Sequence, residues 1–420
     1  MASLPATPPA ERPKGKASWR FEETSAPCEW AEDYRPGVYH PVNLGNTFHD
    51  GAYRVLRKLG YGSYSTVWLA VDTRNLKYVS LKIMIASAST TNTELDILEH
   101  LSKRAAKDPN SRHLTVLLDT FIHEGPNGKH RCLVFEPMGT SAASLVRQLP
   151  ENQPALFGKR QRYPKWMAKN ILLHCLRGLA FLHTNGVAHG DVQPGNLLFA
   201  INDINSAKEN ELKQNETDTE VHLRRIDGKK DKWTPTNLYL RQSLHEYVGR
   251  GPDLCVKLSD LGSAFWSANP PKDTLTPLAL RAPELILHQP IDSSIDIWSF
   301  GCLMFEFLMG RTLFACEDTD DEHLSQLNDV IGPLPDFIMD AWPRARKWYD
   351  ADCNPLQPDE DEGEPFIYDS LENLFADTKP EGIDDEESTV VCSLIKRILD
   401  YNPSKRPSAA ELLKHPWFTD

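Results

Sequence analysis

Three short stretches of this chain hold residue types whose spacing suits chemistry on phosphate. The first is Gly60-Tyr61-Gly62-Ser63-Tyr64-Ser65-Thr66-Val67, set where one stretch of alternating apolar and polar residues turns into the next. Glycine at such a turn lets backbone amides approach phosphate oxygens closely. Its third small position is Ser65 rather than Gly, and taken alone the stretch reads equally well as an ordinary hairpin. The second is Lys82, twenty residues after Gly62, at the end of Val79-Ser80-Leu81-Lys82. A lysine ending an apolar strand is commonly a snorkelling surface residue. Here Glu94 follows in Glu94-Leu95-Asp96-Ile97-Leu98, and a carboxylate so placed can hold the ammonium against phosphate oxygens. The third is His189-Gly190-Asp191-Val192-Gln193-Pro194-Gly195-Asn196 with Val256-Lys257-Leu258-Ser259-Asp260-Leu261-Gly262 further on and Ala282-Pro283-Glu284 beyond that. Phosphoryl transfer asks a protein for placed carboxylates, metal ligands and positive charge rather than covalent chemistry. Asp191 would orient a substrate hydroxyl and accept its proton, while Asn196 and Asp260 would hold magnesium ions that bridge the phosphates.

The elements that must position these residues are legible as periodicities. Tyr53, Val55, Val67, Leu69, Val71, Val79, Leu81 and Ile83 alternate with polar residues, which predicts three antiparallel strands over 53–83. Helical spacing is expected over Glu94–Lys103, strands over Thr115–Phe121 and Arg131–Phe135, and a helix over Trp166–His183 carrying Ile171, Leu172, Cys175, Leu176, Leu179 and Leu182. Later segments are mainly helical. The strongest starts near Ser293 and runs through Ile297, Trp298, Cys302, Phe305 and Leu308, and Ser408–Lys414 closes the chain. The first 30 or so residues are rich in Pro, Ala and Glu without periodicity, so they are expected to be a mobile arm with order starting near Tyr34. Two polar stretches, about 202–250 and 350–387, read as surface insertions.

Length, charge and cysteine usage narrow the class. A chain of 420 residues with 40% hydrophobic and 25% charged residues suits one globular catalytic unit of two lobes. Its eight cysteines form no C-x-x-C pair, which argues for reduced thiols and an intracellular protein, without a disulfide framework or zinc site. No signal-like apolar stretch opens the chain and no run of eighteen apolar residues occurs, so neither secretion nor membrane spanning is expected. The net charge is −13, and residues 301–420 hold 27 acidic against 10 basic residues. That face repels nucleic acid and favours basic partners, although charge runs are often only solvated surface.

From about Tyr53 to Phe418 these motifs resemble the eukaryotic protein kinases. The resemblance implies a bilobal α+β fold, with a small antiparallel β-sheet lobe bearing one main helix and a larger, mainly helical lobe. Residues 1–33 would be the arm, 34–138 the small lobe with its lead-in, and 139–420 the large lobe carrying both insertions. Carried over by position, Lys82, Glu94, Asp191, Asn196 and Asp260 match the family's five polar catalytic residues. Gln193 stands in the catalytic loop where serine/threonine kinases usually have Lys. ATP would be contacted by Leu59, Gly60, Gly62, Ser63, Ser65, Val67, Lys82, Asn196 and Asp260. Phe135 would be the gatekeeper, with Glu136 to Met138 as the hinge for adenine. Asp296 would anchor the catalytic loop and Glu284 would pair with Arg406. Tyr34-Arg35-Pro36-Gly37-Val38-Tyr39-His40-Pro41-Val42, Tyr64-Ser65-Thr66-Val67-Trp68-Leu69, the 64 positions between Asn196 and Asp260, and Asp260-Leu261-Gly262 are most similar to the SR-protein kinases. That resemblance implies ATP and Mg²⁺ as cofactors, transfer to serine of basic Arg/Ser-rich proteins, no nucleic-acid or membrane partner, a monomer, and a cytoplasmic or nuclear location.

The departures set the competing readings. Gly190 replaces the Arg that commonly grips a phosphorylated activation loop, and the segment from Gly262 to Ala282 is short, so activity without loop phosphorylation is expected. Gln193 lacks the charge that would neutralise the transferring group. The pocket stretch Thr276-Pro277-Leu278-Ala279-Leu280-Arg281-Ala282-Pro283-Glu284 lacks the aromatic and basic residues common there in near relatives. The run Glu317-Asp318-Thr319-Asp320-Asp321-Glu322 falls where the family docks Arg-rich peptides. The alternatives are a pseudokinase scaffold that binds nucleotide and partners, and a small-molecule kinase of similar fold, against which Ala282-Pro283-Glu284 and Arg406 argue.

Overall fold

A computed structural model describes residues 7–153, 160–249, 251, 253–314, 319–350, 354–356, 367–377, 379–380 and 382–419. They divide into two compact units. The first draws on Met1–Ser102, Thr115–Thr140 and Phe199–Leu254, the second on Lys103–Leu114, Ser141–Leu198 and Cys255–Asp420.

The first unit is built on a six-stranded sheet of β1 (Thr47–Phe48), β2 (Tyr53–Gly62), β3 (Ser65–Asp72), β4 (Lys77–Met84), β5 (Leu117–Gly125) and β6 (Gly128–Phe135), ordered β1-β2-β3-β4-β6-β5. The register puts Gly60 opposite Val67, Val67 opposite Lys82 and Lys82 opposite Leu133, with Ser80 opposite Phe135. Directly paired residues share a face and alternate residues return to it, so Val67, Lys82 and Phe135 lie on one face of the sheet. The opposite face supplies Trp68, Ala70, Val79, Leu81, Ile83, Cys132 and Val134 to the hydrophobic core, with Phe121 and Tyr53. One helix, α1 (Thr93–Ala105), buries Glu94, Ile97, Leu98 and Leu101.

Two sequence expectations are corrected here. Order does not start near Tyr34: Phe21 and Ala31 join Tyr34, Tyr39, Ile85 and Leu238 in one buried cluster, and Glu29, Glu32 and Asp33 are buried as well. Low periodicity concealed this because the segment is tied by polar contacts, among them Arg20 to Glu32 and Tyr34 to Glu29. The 202–250 stretch is likewise no loose insertion on the second unit. Ile204, Leu212 and Leu244 pack on Leu69 of β3, and Gln214 and Gln242 hydrogen-bond the main chain of Lys58 in β2. Few apolar residues in a polar stretch suffice when each is fully buried.

The second unit is helical. Lys165–Thr184 buries twelve residues and Ser294–Met309 buries nearly all of its length. Glu284 and Arg406 form a bidentate buried pair, Nη1 to Oε1 at 2.6 Å and Nη2 to Oε2 at 2.8 Å. No described helix is long and apolar enough to cross a membrane, and the described cysteines, at 28, 132, 175, 255, 302 and 392, are free thiols. Of the 350–387 stretch, 350, 354–356, 367–377, 379–380 and 382–387 are described. Within it Ser370 caps the helix Leu371–Ala376, and Asp384 caps Asp385–Ile398, so the tract 384–387 is a helix start. The tract 359–362 lies outside the described residues.

Candidate active site

The predicted residues fall into two groups, one on each unit. In the first unit, β2 and β3 meet in a two-residue loop, Ser63-Tyr64, closed by Gly62 opposite Ser65. A register shift between Lys58 and Gly60 leaves Leu59 as a bulge, which twists the strand end. Leu59 packs against the Leu69, Ile204, Leu212 and Leu244 cluster. A Cβ built on Gly60 or Gly62 would meet no protein atom within 4 Å, and neither glycine has positive φ. Neither packing nor backbone conformation demands glycine at these positions, and the missing side chains leave the main chain open to close approach. Ser65 is buried and Ser63 exposed.

On the face shared with Val67 and Phe135, Lys82 Nζ bonds Glu94 Oε1 at 2.7 Å, with both side chains about one-tenth exposed. A carboxylate this close offsets part of the cost of burying an ammonium. At the end of β6, Glu136 accepts a bond from the Val116 N–H at 3.0 Å and Gly139 N–H donates to Phe199 O at 2.8 Å, which brackets the buried Met138.

In the second unit, Asp296 sits in the apolar Ser294–Met309 helix, 1% exposed. It accepts the N–H of His189 at 2.7 Å and of Gly190 at 2.8 Å, and faces His183 Nε2 at 2.9 Å. Burial alone would raise its pKa, but His183 and the amide donors hold the carboxyl below its ordinary value. The loop it grips is thereby fixed. His189 faces the Ser259 carbonyl through Nε2 at 3.0 Å and accepts the Asp191 N–H at Nδ1, 3.2 Å.

Asp191 is then fixed from both sides. Gln193 Nε2 donates to Oδ1 at 2.7 Å, and Asn196 Nδ2 donates to Oδ2 and to the main-chain oxygen, both at 2.9 Å. Burial, with the Asp260 charge nearby, nevertheless pushes the Asp191 carboxyl above its ordinary value against these donors. That is the direction a proton acceptor needs. Asp260 is exposed, takes φ +62° and accepts the Gly262 N–H at 3.4 Å. Asn196 spends its nitrogen on Asp191, which leaves its amide oxygen for another partner. One amide oxygen and one carboxylate form a hard, oxygen-only donor set that fits magnesium, an ion that takes few protein ligands beside phosphate oxygens.

Two contacts that the sequence did not show tie Gly190 and Thr276 into this loop. Gly190 has φ +74°, and a Cβ on it would lie 2.6 Å from the Ser263 carbonyl oxygen. Thr276, 2% exposed, donates to the Gly190 carbonyl at 2.8 Å, and its own carbonyl accepts Arg281 Nη2 at 3.0 Å. A buried threonine shortly before Ala282-Pro283-Glu284 was the signal for this contact.

The acidic run expected to dock basic peptides is less available than its charge suggests. Glu317 and Asp318 lie outside the described residues. Thr319 and Glu322 form a capping box on the helix Asp320–Ile331. Asp321 accepts from Trp342 at 2.8 Å and Arg344 at 2.7 Å, and Asp320 lies 3.5 Å from Arg281.

Comparison with known proteins bears directly on this arrangement. The model of the protein kinase domain family matches residues 53–222 and 235–418. The serine/threonine-protein kinase SRPK of Physarum polycephalum is 31% identical over 412 residues, covering 93% of this chain and 91% of its own. Protein kinase dsk1 of Schizosaccharomyces pombe is 26% identical, over 93% of this chain and 85% of its own. A crystal structure of a kinase domain superposes with a TM-score of 0.60 at 24% identity, over 90% of this chain and 98% of that one. At that identity it attests the fold alone.

Proposed function

Because this chain belongs to the protein kinase domain family, we propose that it is an active serine/threonine kinase that transfers the γ-phosphoryl group of ATP to serine in basic, Arg/Ser-rich proteins. The observation that carries the proposal is the state of Asp191. Its two carboxylate oxygens each accept an amide N–H, its backbone is tied through His189 and Asp296, and burial raises its basicity. A carboxylate so held can orient a substrate hydroxyl and take its proton.

Lys82, held by Glu94, would steady the α- and β-phosphates, and the Gly60–Val67 hairpin would cover them with amides. Asn196 and Asp260 would hold a magnesium ion, whose charge offsets that of the phosphate oxygens. Gln193 supplies a neutral donor where a cation would do more. The contacts that fasten the activation segment to the catalytic loop, the pairing of Phe265 with Ala188 and the Thr276 hydroxyl on the Gly190 carbonyl, form without a phosphate, which supports activity independent of loop phosphorylation. Preference for basic substrates is supported by the acid excess of residues 301–420 and by the SRPK likeness, more than by the run at Asp320–Glu322 itself.

The test is transfer from radiolabelled ATP–Mg²⁺ to an Arg-Ser repeat peptide. Wild type is expected to label serine, phosphatase pretreatment to leave the rate within about twofold, and Asp191→Asn to reduce it by about a thousandfold, the scale on which loss of a proton acceptor and its placement acts. Nucleotide binding without transfer would instead establish the scaffold reading.

A further inference from the structure

The Gly60–Val67 hairpin does little to hold itself in place. Residues Tyr61 to Tyr64 are exposed, and its glycines have open space around them. Besides the pairing of β3 with β4, Ile85 N–H donates to the Tyr64 carbonyl at 2.9 Å, Lys58 Nζ lies 5.3 Å from the Tyr61 ring, and from the N-terminal segment Tyr39 donates its hydroxyl to the Gly62 carbonyl at 2.6 Å. In a trans peptide the carbonyl and the following N–H point in opposite directions. Fixing the Gly62 oxygen therefore fixes the Ser63 N–H, one of the donors this hairpin can offer a phosphate. Burial pushes the Tyr39 hydroxyl up to about 12, so it remains a donor across the working pH range.

Tyr39 can hold the loop only if it is itself held, and the segment carrying it is fastened at several points. Asn127 Nδ2 donates to the Tyr39 carbonyl at 2.6 Å, and Asn127 O accepts the Gly37 N–H at 2.8 Å. Ala86 and Ser87, just past β4, donate to Val38 O at 3.2 Å and Gly37 O at 2.8 Å. Ten residues upstream, Glu29 bonds Lys58 Nζ, with both side chains at or below 1% exposure, and accepts the Tyr34 hydroxyl at 2.5 Å. Lys58 immediately precedes the Leu59 bulge from which the hairpin departs, and it also lies 5.5 Å from the Trp68 ring. A buried ion pair is weak evidence for stability but fixes register where its remaining hydrogen-bonding capacity is met.

We propose that Tyr39 is a positioning residue for the phosphate-binding hairpin, and that the Glu29–Lys58 pair anchors the N-terminal segment for that task, so that residues 20–40 set the affinity for nucleotide. The proposal rests on reading Gly60–Val67 as the nucleotide loop. The test uses the full chain with Tyr39→Phe, which removes one hydroxyl and keeps the buried ring, and with Glu29→Gln. Tyr39→Phe is expected to raise KM for ATP about fivefold, the factor that one net hydrogen bond represents, with peptide KM and kcat within twofold and the thermal midpoint unmoved. Glu29→Gln should move ATP KM in the same direction. An unchanged ATP KM in Tyr39→Phe, or ATP KM, peptide KM and midpoint all shifting together, overturns the positioning role. A lowered midpoint alone in Glu29→Gln overturns the anchor. Direct titration with ADP–Mg²⁺ separates the premises: if wild type binds no nucleotide, the kinase reading falls too, whereas equal binding by wild type and Tyr39→Phe removes only the strap.

Discussion

Asp191 and Gln193 illustrate how far single residues could be read ahead of the structure. The chemistry of phosphoryl transfer restricts side-chain type and spacing so tightly that Asp191, Asn196 and Asp260 stood out from the chain as it was written. The partner of Gln193 did not. Its amide lies 2.7 Å from Asp191, and on the proposed function an ammonium there would add charge beside the transferring group. Gln193→Lys is therefore expected to raise kcat by about ten- to a hundredfold, the range that one well-aimed electrostatic donor covers; steady-state kinetics at saturating ATP would show it, and an unchanged kcat would mean that chemistry is not limited there. Glu29 and Lys58 were illegible for a different reason. Each is an ordinary charged residue in sequence, 29 positions apart, and only the folded sheet buries them together.

At the scale of elements, strands and helices were legible wherever one face is apolar, as in β2 to β4 and Lys165–Thr184. The short strand Val256–Leu258, which leads to Asp260, has a less visible support. Its Val256 N–H donates to His174 Nδ1 at 3.2 Å, and its carbonyl faces His113 Nδ1 at 3.0 Å, while Arg112 Nε donates to His113 Nε2 at 3.0 Å. Both rings must be neutral to fill these roles. Burial, with Arg112 and Arg177 nearby, lowers His113 to about 4 and His174 to about 3. In the unfolded chain both titrate near the ordinary histidine value, so between about pH 6.5 and pH 4 the unfolded state binds more protons. Stability then rises with pH across this window and is lost on acidification. The thermal midpoint should fall by several degrees from pH 7 to pH 5, with a shallower slope in His174→Asn, which keeps an acceptor without the titration; an identical slope would assign the effect to other groups.

For the molecule as a whole, the kinase architecture was readable from motif order, but the extent of the first unit was not. Polar composition suggested that residues 202–250 hang from the surface. Ile204, Leu212 and Leu244 instead pack on Leu69 of the sheet and Leu238 on the N-terminal segment, and no period marks them because they come from separate turns of an irregular chain. Leu212 is fully buried, so Leu212→Ala is expected to cost about 2–5 kcal/mol, as for other core leucines. Urea denaturation would measure it, and a change below about 0.5 kcal/mol, typical of surface sites, would return the segment to the status of a loose loop.

Gly190 constrains how this enzyme could ever be placed under a kinase cascade. An arginine there, the receptor that lets an upstream signal tighten an activation segment, would have to adopt the left-handed backbone and drive its Cβ into the Ser263 carbonyl, an obstacle with no rotamer to yield. No one-codon change installs such a switch without moving a second stretch of main chain.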